Sequence, residues 1–255
     1  TGNMALLYGR RGDYAHALSL LKRSYDLIAS GDDKRALSVT FVNLGNVFLW
    51  QGDYTQAEDY FQKSLAMAEA GGIKRLTGYA SMSLGHAAEL RGDLRGAIKK
   101  YEKGLAICTE VGDKFCMAAT YSYLGGALSL LGEHARAIDV FQKSLEIHKA
   151  IGDGSEIPLA MARMAAAYNR KGEFPDALRL AQEAAKLGAA SGFREAVWRA
   201  NLEAGKDHQA QREPARAEAE FTGAIATIEE MRMDVAGGES ERENFFEDKL
   251  EPYHR

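Results

Sequence analysis

The chain has 255 residues, of which 46% are hydrophobic and 27% charged, a balance typical of a well-packed protein and unlike that of a disordered one. Its formal net charge of −4 gives no reason to expect nucleic acid as a partner, because such binding normally needs a basic surface. No apolar run approaches the roughly 20 residues that span a bilayer. With only two cysteines, we therefore expect a cytoplasmic protein without a membrane partner.

A fourteen-residue segment recurs along the chain at intervals of forty. It is GDYAHALSLLKRSY from Gly12 and GDYTQAEDYFQKSL from Gly52, and its sixth copy, from Arg212, keeps the frame without the glycine. One position is always alanine, and the position four residues later is mostly large and apolar. Residues four apart lie on one face of a helix, so a small and a large side chain share a stripe. The two sets are Ala17, Ala57, Ala97, Ala137, Ala177 and Ala217, and Leu21, Phe61, Tyr101, Phe141, Ala181 and Phe221.

A second periodic set precedes each of these segments. It consists of Leu44-Gly45, Leu84-Gly85 and Leu124-Gly125, followed by the less exact copy Met164-Ala165 and by Gly205, which keeps only the small position. The Gly-Asp and Gly-Glu pairs between the two sets predict a helix that ends on glycine and a helix that starts with an acid. Each unit is therefore predicted to be a pair of closely packed antiparallel helices. No segment alternates with a period of two, so we expect no sheet.

The pattern resembles the tetratricopeptide repeat, W-x2-L-G-x2-Y followed by A-x3-F and P. Here LGNVF at 44–48 is followed by Ala57 and Phe61, and the period is 40 rather than 34. Versions with this longer period occur in the kinesin light chain type and in bacterial regulatory arrays. The resemblance implies an all-α, right-handed superhelical solenoid of antiparallel helix pairs. We expect six tandem hairpins over residues 1–232, the first truncated at its start.

Residues 233–255 depart from the repeat and predict a partial seventh hairpin or a capping helix, with a helix over roughly Glu239–Leu250. This tail is similar to the segment that joins tetratricopeptide arrays to a CHAT domain, a caspase-like cysteine peptidase, in bacterial proteins. The residues that carry this second resemblance are Arg242, Phe245, Phe246, Pro252 and Tyr253. It implies a downstream domain beyond Arg255, where the family's catalytic His and Cys would lie. Self-association through open solenoid ends is the alternative.

Nothing in the sequence indicates catalysis, a metal site or a cofactor. The six histidines include no pair at i, i+4, and no metal-ligand spacing is present. Cys108 and Cys116 flank a predicted turn. We interpret them as two small apolar fillers rather than as a redox pair or a nucleophile. We therefore expect a protein that is not an enzyme.

The first helix of each pair lines a concave groove in tetratricopeptide arrays, where it holds a partner's extended peptide or helix. The resemblance thus implies a protein or peptide ligand here. The family's clamp for a C-terminal carboxylate needs a lysine where this chain has Val42, which argues against a chaperone-tail ligand. Mapped onto the repeat frame, the predicted groove residues are Asn43, Asn46, Trp50, Tyr79, His86, Tyr123, Arg163, Asn169, Arg170, Arg199 and Lys206.

The chemistry of the predicted groove changes along the chain. Asn43 and Asn46 are suited to hold a peptide backbone, because an amide donates and accepts at once. Aromatic anchors are predicted at Trp50, Tyr79 and Tyr123, although Trp50 lies near a turn and its alternative role is to cap a helix pair. The later positions are basic. The predicted function is thus a non-catalytic interaction scaffold. Its predicted ligand has an apolar first part and an acidic second part. The alternatives are a sensor arm of a CHAT-type peptidase and a self-associating structural array.

Overall fold

A computed structural model of the protein describes residues 2–154, 156–234 and 249–254. These residues contain twelve α-helices, one short 3-10 helix (Glu251–His254) and no strand, which confirms the predicted all-α class. No helix in these ranges is both long enough and apolar enough to cross a membrane. The helices are α1 Gly2–Arg10, α2 Tyr14–Ile28, α3 Lys34–Trp50, α4 Tyr54–Ala70, α5 Lys74–Leu90, α6 Leu94–Glu110, α7 Lys114–Leu130, α8 His134–Ile151, α9 Ile157–Lys171, α10 Phe174–Ser191, α11 Arg194–Ala210 and α12 Pro214–Met233.

The described residues divide into two compact units, residues 2–120 and residues 121–234 with 249–254. Within the first unit, α1 packs on α2, α3 on α4 and α5 on α6, and the first helices α1, α3 and α5 follow one another in contact. Within the second unit, α9 packs on α10 and α11 on α12, and the first helices α9 and α11 touch. Consecutive helices thus form antiparallel pairs as predicted. The expected helix over Glu239–Leu250 falls almost entirely outside the described residues.

Most helices have the same length, and the turns between them are tight. Helices α3 to α7 each contain 17 residues. Three residues, 51–53, separate α3 from α4, and the same spacing separates α5 from α6. In the first of these turns Gly52 has a φ of 79°, and the Asp53 side chain accepts a hydrogen bond from the backbone N–H of Gln56. Glycine takes this left-handed conformation without steric cost, which confirms the predicted glycine-ended helices.

The sixth turn keeps the left-handed conformation without glycine. Arg212 has a φ of 60° and is the one non-glycine residue with a positive φ among the described residues. A side chain in that conformation costs about 1 kcal/mol. The geometry therefore comes from the packing of α11 on α12 rather than from the local preference of the residue.

Glycine and an aromatic ring meet inside four of the helix pairs. A methyl group added at Gly85 in α5 would lie 2.6 Å from the buried ring of Tyr101 in α6. In the fifth pair both positions are alanine, Ala165 and Ala181, and both are fully buried, so glycine and ring are replaced together. The four glycine–aromatic contacts are Gly45 with Phe61, Gly85 with Tyr101, Gly125 with Phe141, and Gly205 with Phe221.

Replacing Gly85 by alanine should destabilise the chain, because the added methyl group overlaps a ring with no room to move. We expect the free energy of unfolding, measured with urea, to fall by about 1–3 kcal/mol. Gly223 in α12 is the matched control, since a methyl group there would meet only the side-chain amide of Asn201, at 3.0 Å. Gly223→Ala should be neutral or stabilising, because alanine favours helix. Equal effects of the two substitutions would contradict this packing model.

The two cysteines are bonded to each other. Cys108 lies in the last turn of α6 and Cys116 near the start of α7, with their Cα atoms 5.8 Å apart. The two sulfur atoms form a disulfide, and both cysteines are fully buried in the first unit. The interpretation of two separate apolar fillers was therefore wrong. The helix ends on either side of one tight turn bring the two Cα atoms within bridging distance, and a repeat pattern alone does not reveal this.

We expect unreduced, denatured protein to contain no titratable thiol. Reduction should lower the free energy of unfolding by about 2 kcal/mol, because the closed loop is short. The double variant Cys108→Ala, Cys116→Ala should have the same stability with and without reductant. Two thiols in freshly purified, unreduced protein would show that the bond is absent.

Candidate functional site

Two arginines of α9 lie against two serines of α7 in the second unit. Arg163 donates from Nη1 to the Ser122 hydroxyl at 2.8 Å, and Arg170 donates from Nη1 to the Ser129 hydroxyl at 2.9 Å. Both serines are buried, whereas Arg163 is half-buried and Arg170 is exposed. The guanidinium groups are therefore held in place at the surface, seven residues apart on one helix. We call this pair the arginine rungs.

Neither rung has a carboxylate partner among the described residues. Arg163 instead lies over the ring of Tyr123, 5.6 Å from its centroid, an arrangement that favours the cation. A serine hydroxyl satisfies one donor of a guanidinium but leaves its charge uncompensated. The rungs are thus two fixed positive charges that are available to an anion.

The other two basic residues predicted for this groove are already neutralised. Arg199 donates to Glu195 at 2.7 Å, and Lys206 pairs with Glu203 at 2.8 Å and with Glu251 at 2.9 Å. Glu195 also accepts from the indole N–H of Trp198 at 2.9 Å, and these partners hold the pKa of its carboxyl below the ordinary value against the opposing effect of burial. The positive character expected for all four residues therefore resides in Arg163 and Arg170.

A buried polar cluster links α9 to α11. The side-chain nitrogen of Asn169 donates to the Glu203 carboxylate at 2.8 Å and to the Glu203 backbone carbonyl at 3.1 Å. One turn further along α11, Asp207 is fully buried. Within the described part of the chain, neither of its carboxylate oxygens has a hydrogen-bond partner, and the Asn169 amide oxygen also has none. Burial, helped by the charge of Glu203, raises the pKa of Asp207 to about 7, with Asn169 and Lys206 opposing the shift.

The raised pKa of Asp207 makes the stability of the second unit depend on pH. Above about pH 4 the Asp207 carboxyl loses its proton in the unfolded state but keeps it in the folded state. The free energy of unfolding therefore falls as the pH rises from about 4 toward 7. Asp207→Asn keeps the shape and removes the charge. At pH 8 the variant should melt about 3–8 °C above the parent, and the difference should shrink toward pH 5. Parallel melting profiles would contradict this assignment, and exposed Glu218→Gln should leave the profile unchanged.

In the first unit the predicted asparagines lie on α3. Asn43 is buried and forms part of the wall of a cavity of about 380 Å³ between α1, α2 and α3. Its walls also include Asp33, Arg35 and Thr40, so the cavity offers charged and polar groups beside apolar ones. Asn46 is half-buried, one turn further along the same helix.

The predicted aromatic residues of the first unit are already engaged in packing. The ring of Trp50 covers α1, where a methyl group added at Gly9 would lie 2.6 Å from it, and its backbone carbonyl accepts from the Tyr14 hydroxyl at 2.9 Å. These contacts fit the capping role. Tyr79 lies under the guanidinium of Arg75, 5.8 Å from the ring centroid, and His86 is half-buried on the same helix. Ligand contact by these residues stays a prediction.

Three functionally suggestive residues were not singled out in the sequence: Ser122, Ser129 and Asp207. Both arginine–serine contacts join residues 41 apart, one more than the repeat period. A search for donors and acceptors near the repeat offset would have found the serines. Asp207 occupies a helix position that other pairs fill with small or apolar side chains, Val47, Ala87, Ala127 and Ala167. An acid at a core position was the missed signal.

A family model described as tetratricopeptide repeat matches residues 1–70 and 76–150, which is more than half of the chain. The chain belongs to the tetratricopeptide repeat family. No curated protein matches this tetratricopeptide array.

Several solved structures are similar to the tetratricopeptide array in fold. BtubC (BKLC) from P. vanneervenii is 17% identical with a TM-score of 0.69, covering 86% of this chain and 90% of that one. A signal transduction ATPase with a tetratricopeptide repeat sensor, from Pyrococcus horikoshii, is 16% identical with a TM-score of 0.72, over 99% of this chain but only 41% of that one. A Rap protein complexed with competence and sporulation factor is 13% identical with a TM-score of 0.70, covering 99% and 86% of the two chains.

Proposed function

We propose that this tetratricopeptide array is a non-catalytic scaffold that binds a peptide or helix of a partner protein along the first helices of its pairs. The single observation that carries the proposal is the pair of arginine rungs. Arg163 and Arg170 lie on the first helix α9, are fixed there by hydrogen bonds, and lack an acidic partner within the described ranges. A positive group that is held in one position without a carboxylate beside it loses part of its hydration and gains no ion pair in return. Such groups are typical of a surface that binds an anionic ligand.

Two further observations support a protein ligand. The Rap structure of similar fold was determined in a complex with competence and sporulation factor, so an array of this fold accommodates a bound partner. In this chain, Asn43 and Asn46 lie on the first helix α3 of the other unit, where Asn43 is part of the wall of the cavity and Asn46 is half-buried. Amides in this position suit a peptide main chain, which offers donors and acceptors in alternation.

The proposal predicts that groove substitutions abolish binding without unfolding the chain. Peptides would be selected on the full chain by phage display, and their dissociation constants measured by fluorescence anisotropy. The triple variant Asn46→Ala, Tyr123→Ala, Arg170→Ala should bind selected peptides at least tenfold more weakly, because hot-spot truncations cost that much. Its helicity and melting temperature should stay near those of the parent.

A triple variant on the second helices is the matched control. Lys63, Lys143 and Arg179 lie exposed on α4, α8 and α10, each beside its own carboxylate, and their replacement by alanine should leave binding unchanged. If melting of the groove variant collapses instead, the predicted groove positions are structural. If no peptide is enriched by the parent chain, the proposed function fails.

A second candidate is that the array is the sensor arm of a longer protein, specifically a CHAT-type cysteine peptidase. The similarity of the tail supports this candidate, although Arg242, Phe245 and Phe246 lie outside the described residues. The P. horikoshii protein, described as having a tetratricopeptide repeat sensor, gives a precedent for such an arrangement at the level of fold. Reading the gene beyond Arg255 tests it: a caspase-like His and Cys would support the candidate, and their absence would exclude it.

A further inference from the structure

The two arginine rungs differ from every other cation of the predicted groove in the way they are held. Arg199 and Lys206 each contact a carboxylate of the same unit, so an incoming anion would have to compete for them. Arg163 and Arg170 are held by neutral hydroxyl groups, and each guanidinium keeps further N–H donors for a ligand. An anion that reaches the second unit should therefore bind at these two points.

The spacing of the rungs restricts the ligand. Seven residues along α9 correspond to about 10.5 Å, and a heptad brings the two side chains back to within about 20° of the same direction. The serines that accept from the two arginines, Ser122 and Ser129, are also seven residues apart, on α7. The two arginines and the two serines therefore have the same spacing along their helices. The ligand must therefore present two anionic groups about 10 Å apart on one side.

An extended peptide lying along α9 does not meet this requirement. Its side chains alternate between two faces at about 3.3 Å per residue, so residues on one face are about 6.6 or 13 Å apart. A helix lying along α9 does meet it, because its own residues i and i+7 have the same separation and direction as the rungs. Matching periods allow both charge pairs to form at once without distortion of either helix.

We propose that the segment bound by the second unit is an α-helix with carboxylates at positions i and i+7, which pair with Arg163 and Arg170. This inference rests on the proposed function and adds the conformation and charge spacing of the ligand. Each carboxylate accepts from guanidinium donors that the serine leaves unused, which makes the bonds charge-assisted. Among the acids of α11, Glu195 is paired with Arg199, Glu203 is paired with Lys206 and Asn169, and Asp207 is fully buried.

The burial of the two rungs predicts an unequal division of the binding energy. Arg163 is half-buried and covered on one face by the Tyr123 ring, whereas Arg170 is exposed. Charge pairs gain strength where water is partly excluded. The carboxylate that meets Arg163 should therefore contribute more to affinity than its counterpart at Arg170, and its contribution should be less sensitive to salt.

A selection with a helical library tests the inference on the full chain. The probe is a phage-displayed, alanine-rich helix of about 20 residues with randomised positions on one face. Selected sequences should be enriched in Asp or Glu pairs seven apart. In anisotropy measurements with a selected peptide, Arg163→Gln, Arg170→Gln should weaken binding at least tenfold. Changing either peptide acid to its amide should weaken binding to the parent chain, and should have little further effect on the double variant.

The matched control is Arg136→Gln, Arg179→Gln, two arginines of second helices that already pair with Glu133 and Asp176. This variant should bind like the parent. Moving the second peptide acid from i+7 to i+5 should abolish its contribution, because the acid then points away from α9. Circular dichroism checks that every variant remains folded.

The possible failures are distinguishable. Peptides that bind the groove but ignore the rung substitutions would overturn this inference and leave the proposed function standing. Selected ligands with acids two or four apart in proline-containing sequences would overturn the helical conformation. A chain that enriches no peptide from either the helical or an unrestricted library would overturn the proposed function, and this inference with it.

Discussion

The close approach of the two helices in each pair is the constraint on which the rest of the molecule depends. In four of the pairs a glycine on the first helix meets an aromatic ring on the second, as Gly85 meets Tyr101. With the ring in place, no larger residue fits opposite it, so the first helix has one face committed to the pair. Other faces of the first helices contact one another within each unit. The residues that remain, including Arg163 and Arg170, can vary without disturbing the pair.

Much of this arrangement could be predicted from the repeat because the relevant forces are local. The alanine and glycine positions give the face on which helices meet, and the Gly-Asp turns give the ends of the helices. Asp53 and Gly52 play the expected roles in backbone capping. The disulfide of Cys108 and Cys116 was not predicted, because it depends on the distance between two helix ends rather than on the period.

The repeat frame predicts where a candidate site would lie, but the charge of that site depends on contacts between side chains. A repeat frame indicates which residues share a level, yet it does not show which neighbours neutralise them. Arg199 and Arg163 look alike in sequence, but only Arg199 has a carboxylate one turn away that reaches it, at Glu195. Asp207 is a second example, because the repeat frame does not show whether a lone acid on a first helix is solvated or buried. Its burial follows from the packing of α11, which raises the cost of its charge.

The uniform length of the helices has a consequence for how such a chain can change over time. With 17-residue helices and three-residue turns, successive helices start at intervals of twenty residues through α3–α7. One residue inserted within a first helix would rotate the rest of that helix by about 100° and, in a pair such as α5–α6, would move the glycine away from its ring. Loss or gain of a whole hairpin leaves every remaining contact in phase. Length variation among descendants of this chain is thus expected in steps of forty residues. Each step would extend or shorten a binding surface by one helix pair.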